Sequence, residues 1–194
     1  MNKYLTIAGS LALMFAVNAN AALVVDTGTP DGTGARYVVS DANYLAGQVA
    51  FSQALTLNSI ETYLKSDLNT AVGAKFTIAL YSDNNNQVGD AISSTTATYT
   101  GDGWNGAFAL NWNVDAGTYW IGIEGYNGGN YIATQKVSSP LANTAYADLT
   151  DLGSYTNYPI AFGLRVDAVP EADTYAMLLA GLGIMGVVAR RRNA

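Results

Sequence analysis

Apolar and polar residues alternate with a period of two along most of the chain, the pattern of strands that bury one face. In 75–81, Phe76, Ile78 and Leu80 point one way, with Lys75, Thr77, Ala79 and Tyr81 opposite. Phe108, Leu110 and Trp112 share a face of 106–112. Tyr119, Ile121 and Ile123 share a face of 117–124, with Trp120 behind them. Further on, Ile160, Phe162, Leu164 and Val166 alternate with Ala161, Gly163 and Arg165. Less regular runs at 36–40, 46–52, 57–64, 92–100 and 130–137 bring the expected total to about nine short strands. Polar turn chemistry separates them: the stretch 82–90 cannot enter a core, and Asp102-Gly103 and Asn127-Gly128-Gly129 are hairpin signals because Asn and Gly accept positive φ. Pro30 and the glycines from Gly28 to Gly34 make 26–34 an irregular lead-in. With no amphipathic helix between the runs, the expected fold is all-β, an antiparallel β-sandwich with jelly-roll-like connections.

Both ends break the alternation. Lys3, the apolar run Leu5 to Val17 and the small-residue motif Ala19-Asn20-Ala21 read as a signal peptide over 1–21, with cleavage leaving Ala22 first. At the other end, Tyr175 to Ala189 carries no charge and is closed by Arg190, Arg191 and Arg192. As a helix these 15 residues span about 22 Å, against a bilayer core of about 30 Å. Local thinning, or arginines reaching to the headgroups, narrows the gap. The expectation is a single membrane helix with the three arginines cytoplasmic, which divides the chain into a signal peptide (1–21), a β-sandwich body (22–168) and a C-terminal segment (169–194). Gly181-Leu182-Gly183-Ile184-Met185-Gly186 matches the letters of a dinucleotide-binding fingerprint, but lacks the preceding strand and following acidic residue that the fingerprint requires. With Ala176 and Ala180, these glycines suit a membrane helix with a small-residue side.

Charge and composition narrow the body's chemistry. Residues 22–169 hold 5 Lys and Arg against 13 Asp and Glu, a net charge of −8. That balance argues against nucleic acid and against adsorption to anionic lipid. There is no cysteine, so burial alone must hold the fold, and no histidine. Ser-His-Asp and Cys-His catalysis and the usual zinc sites are thereby removed. Carboxylate chemistry and calcium remain open.

The order Val169-Pro170-Glu171, apolar run, arginine cluster resembles the PEP-CTERM sorting signal of Gram-negative bacteria, the tripartite tail that exosortases recognise. Ala172 departs from it, standing where a second proline is frequent. The segments 51–61, 76–83 and Ala116-Gly117-Thr118-Tyr119-Trp120-Ile121 are also similar to a β-sandwich body found ahead of such tails. The resemblance implies an exported exosortase substrate rather than an enzyme, engaged and cut near Val169-Pro170-Glu171. It further implies transient anchoring in the inner membrane, then a place at the cell surface or in a biofilm matrix associated with exopolysaccharide.

Three candidate sites lie in the body. The aromatic set Trp104, Trp112, Trp120, Tyr99, Tyr119, Tyr126 and Tyr131 reads either as core or as a sugar-stacking platform. Trp104, beside the Asp102-Gly103 turn, is the candidate glycan contact and makes a carbohydrate-binding module the alternative function. Asp83, Asn84, Asn85 and Asn86 with Asp90 offer oxygens for calcium, but without EF-hand spacing, and read equally as a solvated hairpin. Glu124, or Asp148 with Asp151, would be the carboxylates of a polysaccharide hydrolase. No spacing places them across a cleft, and the body is expected to be non-catalytic and to need no cofactor.

Overall fold

The alternating runs fold into two antiparallel sheets packed face to face. The computed structural model describes residues 21–33, 37–67, 70–126, 131–133, 137–148 and 154–170. The signal-peptide run with Ala19, the Asn127-Gly128-Gly129 turn, Asp151, Glu171, the expected helix Tyr175 to Ala189 and Arg190 to Arg192 lie outside these residues. The strands in chain order are β1 (Ala22–Asp26), β2 (Val38–Val39), β3 (Asn43–Phe51), β4 (Leu55–Ser66), β5 (Lys75–Asp83), β6 (Val88–Thr98), β7 (Gly103–Val114), β8 (Gly117–Gly125), β9 (Tyr131–Ile132), β10 (Thr144–Asp148), β11 (Thr156–Asn157) and β12 (Leu164–Pro170). No helix occurs among the described residues. The twelve strands exceed the expected nine because several are only two residues long.

The topology is that of a rolled hairpin. β1 pairs with β12, β3 with β8, β4 with β7 and β5 with β6, so the two arms of one long hairpin run side by side. Rolling that hairpin brings β12 against β4 and β8 against β5. The first sheet then reads β1-β12-β4-β7, with β9 and β2 continuing from the end of β4, and the second reads β11-β10-β3-β8-β5-β6. This is the double Greek key of a jelly roll, and it agrees with the expected sandwich.

Burial explains the register. Phe76, Ile78, Leu80, Ile121 and Ile123 of the second sheet are fully buried against Leu57, Ile60, Leu64, Leu164 and Val166 of the first. One slip of register would turn each of these side chains to solvent. Trp120, on the reverse of β8, is also buried, in a smaller cluster with Ala46 and Ala145 under Tyr81 and Tyr155 on the outside of the second sheet.

Two expectations are corrected. Asp102-Gly103 is not a hairpin turn, because it lies where the chain crosses from β6 in one sheet to β7 in the other. The crossing is braced by Asp102, whose carboxylate accepts hydrogen bonds from the Tyr99 hydroxyl and from Ser66 N at 2.8 Å. Gly103 therefore opens a strand, and Trp104 stands in that strand rather than in a turn. The shared face of Phe108, Leu110 and Trp112 is also broken. Leu57 pairs with Trp112 but Ser59 with Phe108, so 109–111 bulge out opposite the single residue Asn58. Leu110 and Trp112 pack against the core, half-buried, while Phe108 faces outward and is 65% exposed.

Candidate functional site

The C-terminal edge of the body is built by β12. Leu164, Val166 and Ala168 point into the core and are fully buried, holding the strand in place. On one side Ala168, Val169 and Pro170 pair with Leu57, Thr56 and Leu55 of β4. On the other side β1 begins at Ala22, opposite Ala168. The residue expected to become the mature N-terminus is therefore the cross-strand neighbour of the residue just before Val169-Pro170-Glu171. Proline lacks a ladder N–H and is confined to strand ends and edges, and Pro170 is the last residue of β12. The sheet holds the chain up to Pro170, and Tyr175, where the apolar run begins, follows five residues later. A cut beyond Pro170 leaves β12 whole, whereas a cut before it removes paired residues.

The aromatic set divides. Tyr99, Tyr131 and Trp120 are buried, and Tyr99 and Tyr131 pack with ring centroids 5.2 Å apart. Tyr119 and Trp112 are half-buried against the core, and Tyr126 is exposed. Trp104 lies on the outer face of the first sheet. The Tyr63 ring meets it edge-on at 5.6 Å and 85°. The Arg165 guanidinium sits 4.0 Å from its centroid, a cation–π contact. Arg165 is held in turn by Asp26, Nε to Oδ1 at 3.3 Å.

Phe108, two outward positions along β7 from Trp104, was not among the expected site residues. It faces outward by alternation with the buried Asn105 and Ala107, and directly after it Ala109 (φ 55°) and Asn111 (φ 53°) both take the left-handed conformation. The Asn111 side-chain amide donates to the Ala109 carbonyl at 3.1 Å and closes the bulge. Asn111 inside an otherwise alternating run was the one available signal, and it was too weak to locate a bulge. Between the two rings stands Gly106, paired with Glu61 and carrying no side chain of its own. A Cβ there would lie 2.3 Å from the Ile60 carbonyl oxygen and 2.8 Å from Glu61 Cγ, so the Glu61 side chain lies across this gap. Desolvation raises the Glu61 pKa, Arg165 opposes the shift and Asp167 adds to it. The Ser59 hydroxyl donates to Asp167 Oδ2 at 2.9 Å.

Asp83, proposed for calcium, sits beside a two-residue turn in which Asn85 (φ 53°) and Asn86 (φ 63°) link β5 to β6, the positive-φ geometry of a type I′ hairpin. Its Oδ1 accepts from Gln48 Nε2 at 2.6 Å and from Trp120 Nε1 at 2.8 Å, and its Oδ2 from Asn86 N at 3.1 Å. Burial pushes its pKa up, but these three bonds together outweigh burial and hold the carboxyl below its usual value. Asp90 is exposed, with its backbone N–H on Ser82 Oγ at 2.9 Å. Among the described residues no three His, Cys, Asp or Glu side chains converge as a metal site.

Glu124 is likewise engaged. Its Oε1 accepts from the Tyr81 hydroxyl and, at 3.1 Å, from Tyr155, and burial followed by the Glu124 contact raises the Tyr81 pKa. A cleft of ≈ 420 Å³ opens between 140–144 and 157–161. The amide groups on its wall are turned into the structure, Asn143 Nδ2 to Gln48 Oε1 at 2.6 Å and Asn157 Nδ2 to the Asn86 carbonyl at 2.7 Å.

Residues 168–192 match the family model of the PEP-CTERM protein-sorting motif. No curated protein matches the chain. The motif marks the chain as an exported protein sorted at the membrane by an exosortase.

Proposed function

We propose that this exosortase-sorted chain is a non-catalytic component of the cell surface or extracellular matrix, associated with exopolysaccharide after release from its membrane tail. The observation that carries the reading is the pairing of Ala22 with Ala168. It brings the two expected processing points, after Ala21 and near Val169-Pro170-Glu171, to one edge of a closed jelly roll. A non-catalytic body is supported by the absence of histidine and cysteine and by the engagement of Asp83, Asp102 and Glu124 in hydrogen bonds that brace the fold.

The test is intact-mass and C-terminal peptide analysis of the protein recovered from membrane and extracellular fractions of its host. The expected mature chain starts at Ala22 and ends just beyond Pro170. The triple change of Arg190, Arg191 and Arg192 to Ser is expected to leave the tail uncut or the protein mislocalised. A released protein that retains the wild-type arginines would refute processing of the tail.

A further inference from the structure

We propose that Trp104 and Phe108, with the Glu61 and Asp167 carboxylates on the neighbouring strands, form a binding strip for an uncharged polysaccharide. The inference rests on the reading that the body meets exopolysaccharide, and it names the surface that does so.

The first support is the strained bulge beside the exposed Phe108. An alanine in the left-handed region is unfavourable, and β-bulges commonly re-aim a side chain beside a functional site. Here the strained bulge 109–111 follows directly on Phe108, which stands 65% exposed on β7 at the edge of the first sheet. The second support is the low profile between the rings, where the Glu61 side chain lies across Gly106. Trp104 and Phe108 lie four residues apart on one strand, about 13 Å, and the position between them is Gly106. The strip is therefore shallow, ends in an aromatic ring on each side, and has the length of a short oligosaccharide.

The occupant follows from charge and size. Arg165, held by Asp26 and the Trp104 ring, also faces Glu61 across the strands, so the strip sets one cation against the two carboxylates of Glu61 and Asp167 and is negative on balance. Both are hydrogen-bond acceptors suited to sugar hydroxyls, while the C–H faces of a pyranose suit the negative faces of aromatic rings. An acidic polysaccharide or an anionic bilayer would meet like charge, and the body as a whole carries −8. A protein partner needs about 800 Å² on each side, and one exposed phenylalanine beside a half-buried tryptophan is a small apolar area. A neutral glycan meets each of these conditions.

The experiment is affinity electrophoresis of the detergent-solubilised full chain through gels containing hydroxyethyl cellulose as the neutral probe, or polygalacturonate as the acidic one. Retardation is expected in the neutral gel, persisting at high salt, and not in the acidic gel. Phe108→Ala should weaken it by roughly tenfold or more, as expected for one lost stacking ring. Phe108→Tyr, which keeps the ring, should retain it, as should Val72→Ser at an exposed apolar position in another loop. Because Phe108 is exposed, unchanged circular dichroism and melting are expected for all three variants. The proposal is overturned by no retardation in the neutral gel, by equal retardation of Phe108→Ala, or by Phe108-dependent binding that appears only with lipid vesicles or as self-association. Normal tail processing without retardation would defeat this proposal alone, and retardation without processing would defeat the sorting reading alone.

Discussion

At the scale of single residues, Ala109 is held in a conformation that alanine disfavours. A β-branched side chain is worse there, so Ala109→Val should destabilise the body by about 1–2 kcal/mol. Ala109→Gly should cause little or no loss, because relief of the strain offsets the greater freedom of glycine in the unfolded chain. Urea unfolding followed by circular dichroism separates the two, and equal losses would mean the bulge is not strained. Asp83 supports a second prediction. Its folded pKa is depressed, because hydrogen bonds from Asn86, Trp120 and Gln48 outweigh burial. The folded state therefore binds a proton less readily than the unfolded state near pH 4, and stability rises with pH through that region. The contribution is present above the unfolded carboxylate pKa and is lost as pH falls toward the folded one. Between pH 7 and pH 3, wild type should lose more stability than Asp83→Asn, which has no proton to gain at this site. Because Asp83 Oδ1 accepts directly from Trp120 Nε1, indole fluorescence is a suitable local reporter. Asp102, depressed by its bonds from Tyr99 and Ser66, titrates in the same direction in both proteins and cancels in the comparison.

At the scale of strands, legibility followed regularity. β5 and β8 were readable because the period of two holds through their core-facing residues: Phe76, Ile78 and Leu80 face the core together with Ile121 and Ile123, and the register of β5 against β6 shifts only beyond Leu80. Phe76→Ala should then cost about 3–5 kcal/mol, and chemical denaturation showing a negligible loss would contradict its placement in the core. β7 was not readable, because a bulge changes which residues face inward while leaving the letters of the sequence in alternation. The same limit applies to Asp102-Gly103. Its turn chemistry was recognised, but whether a turn closes a hairpin or crosses between sheets depends on the partner of β7, which lies far back along the chain in β4, with Leu64 opposite Gly103. Trp104 was singled out as the glycan contact beside an expected turn, whereas it is half-buried on the outer face of a strand. Its capping by Arg165, 61 positions later, is a long-range contact that no local pattern signals. Phe108 was expected to share a face with Leu110 and Trp112, and the bulge separates it from them.

At the scale of the whole molecule, the jelly roll unites two segments that the sequence treats as opposite ends. The two expected processing points each have local signatures, but the pairing of Ala22 with Ala168 is a long-range contact made only by β1 and β12. β12 lies between β1 and β4, so its last residues are structural as well as part of the sorting signal. Ala168 is fully buried, and Val169 and Pro170 continue the pairing with Thr56 and Leu55. This gives a prediction about where the chain can be cut. A protein ending at Pro170 should match the stability of the full-length body, because β12 is complete. One ending at Asp167 loses the core contact of Ala168 and the ladder bonds of three residues, and should be less stable by roughly 2–4 kcal/mol, at about 0.5–1.5 kcal/mol for each hydrogen bond. Urea unfolding of the two truncated chains measures the difference. If both were equally stable, the end of β12 would contribute nothing to the sandwich, and the exosortase would be free to cut upstream of Pro170. If only the shorter chain is weakened, the boundary between body and tail is set by the sheet. The fold then favours cleavage just beyond Pro170, since any earlier cut releases a body with a damaged central strand.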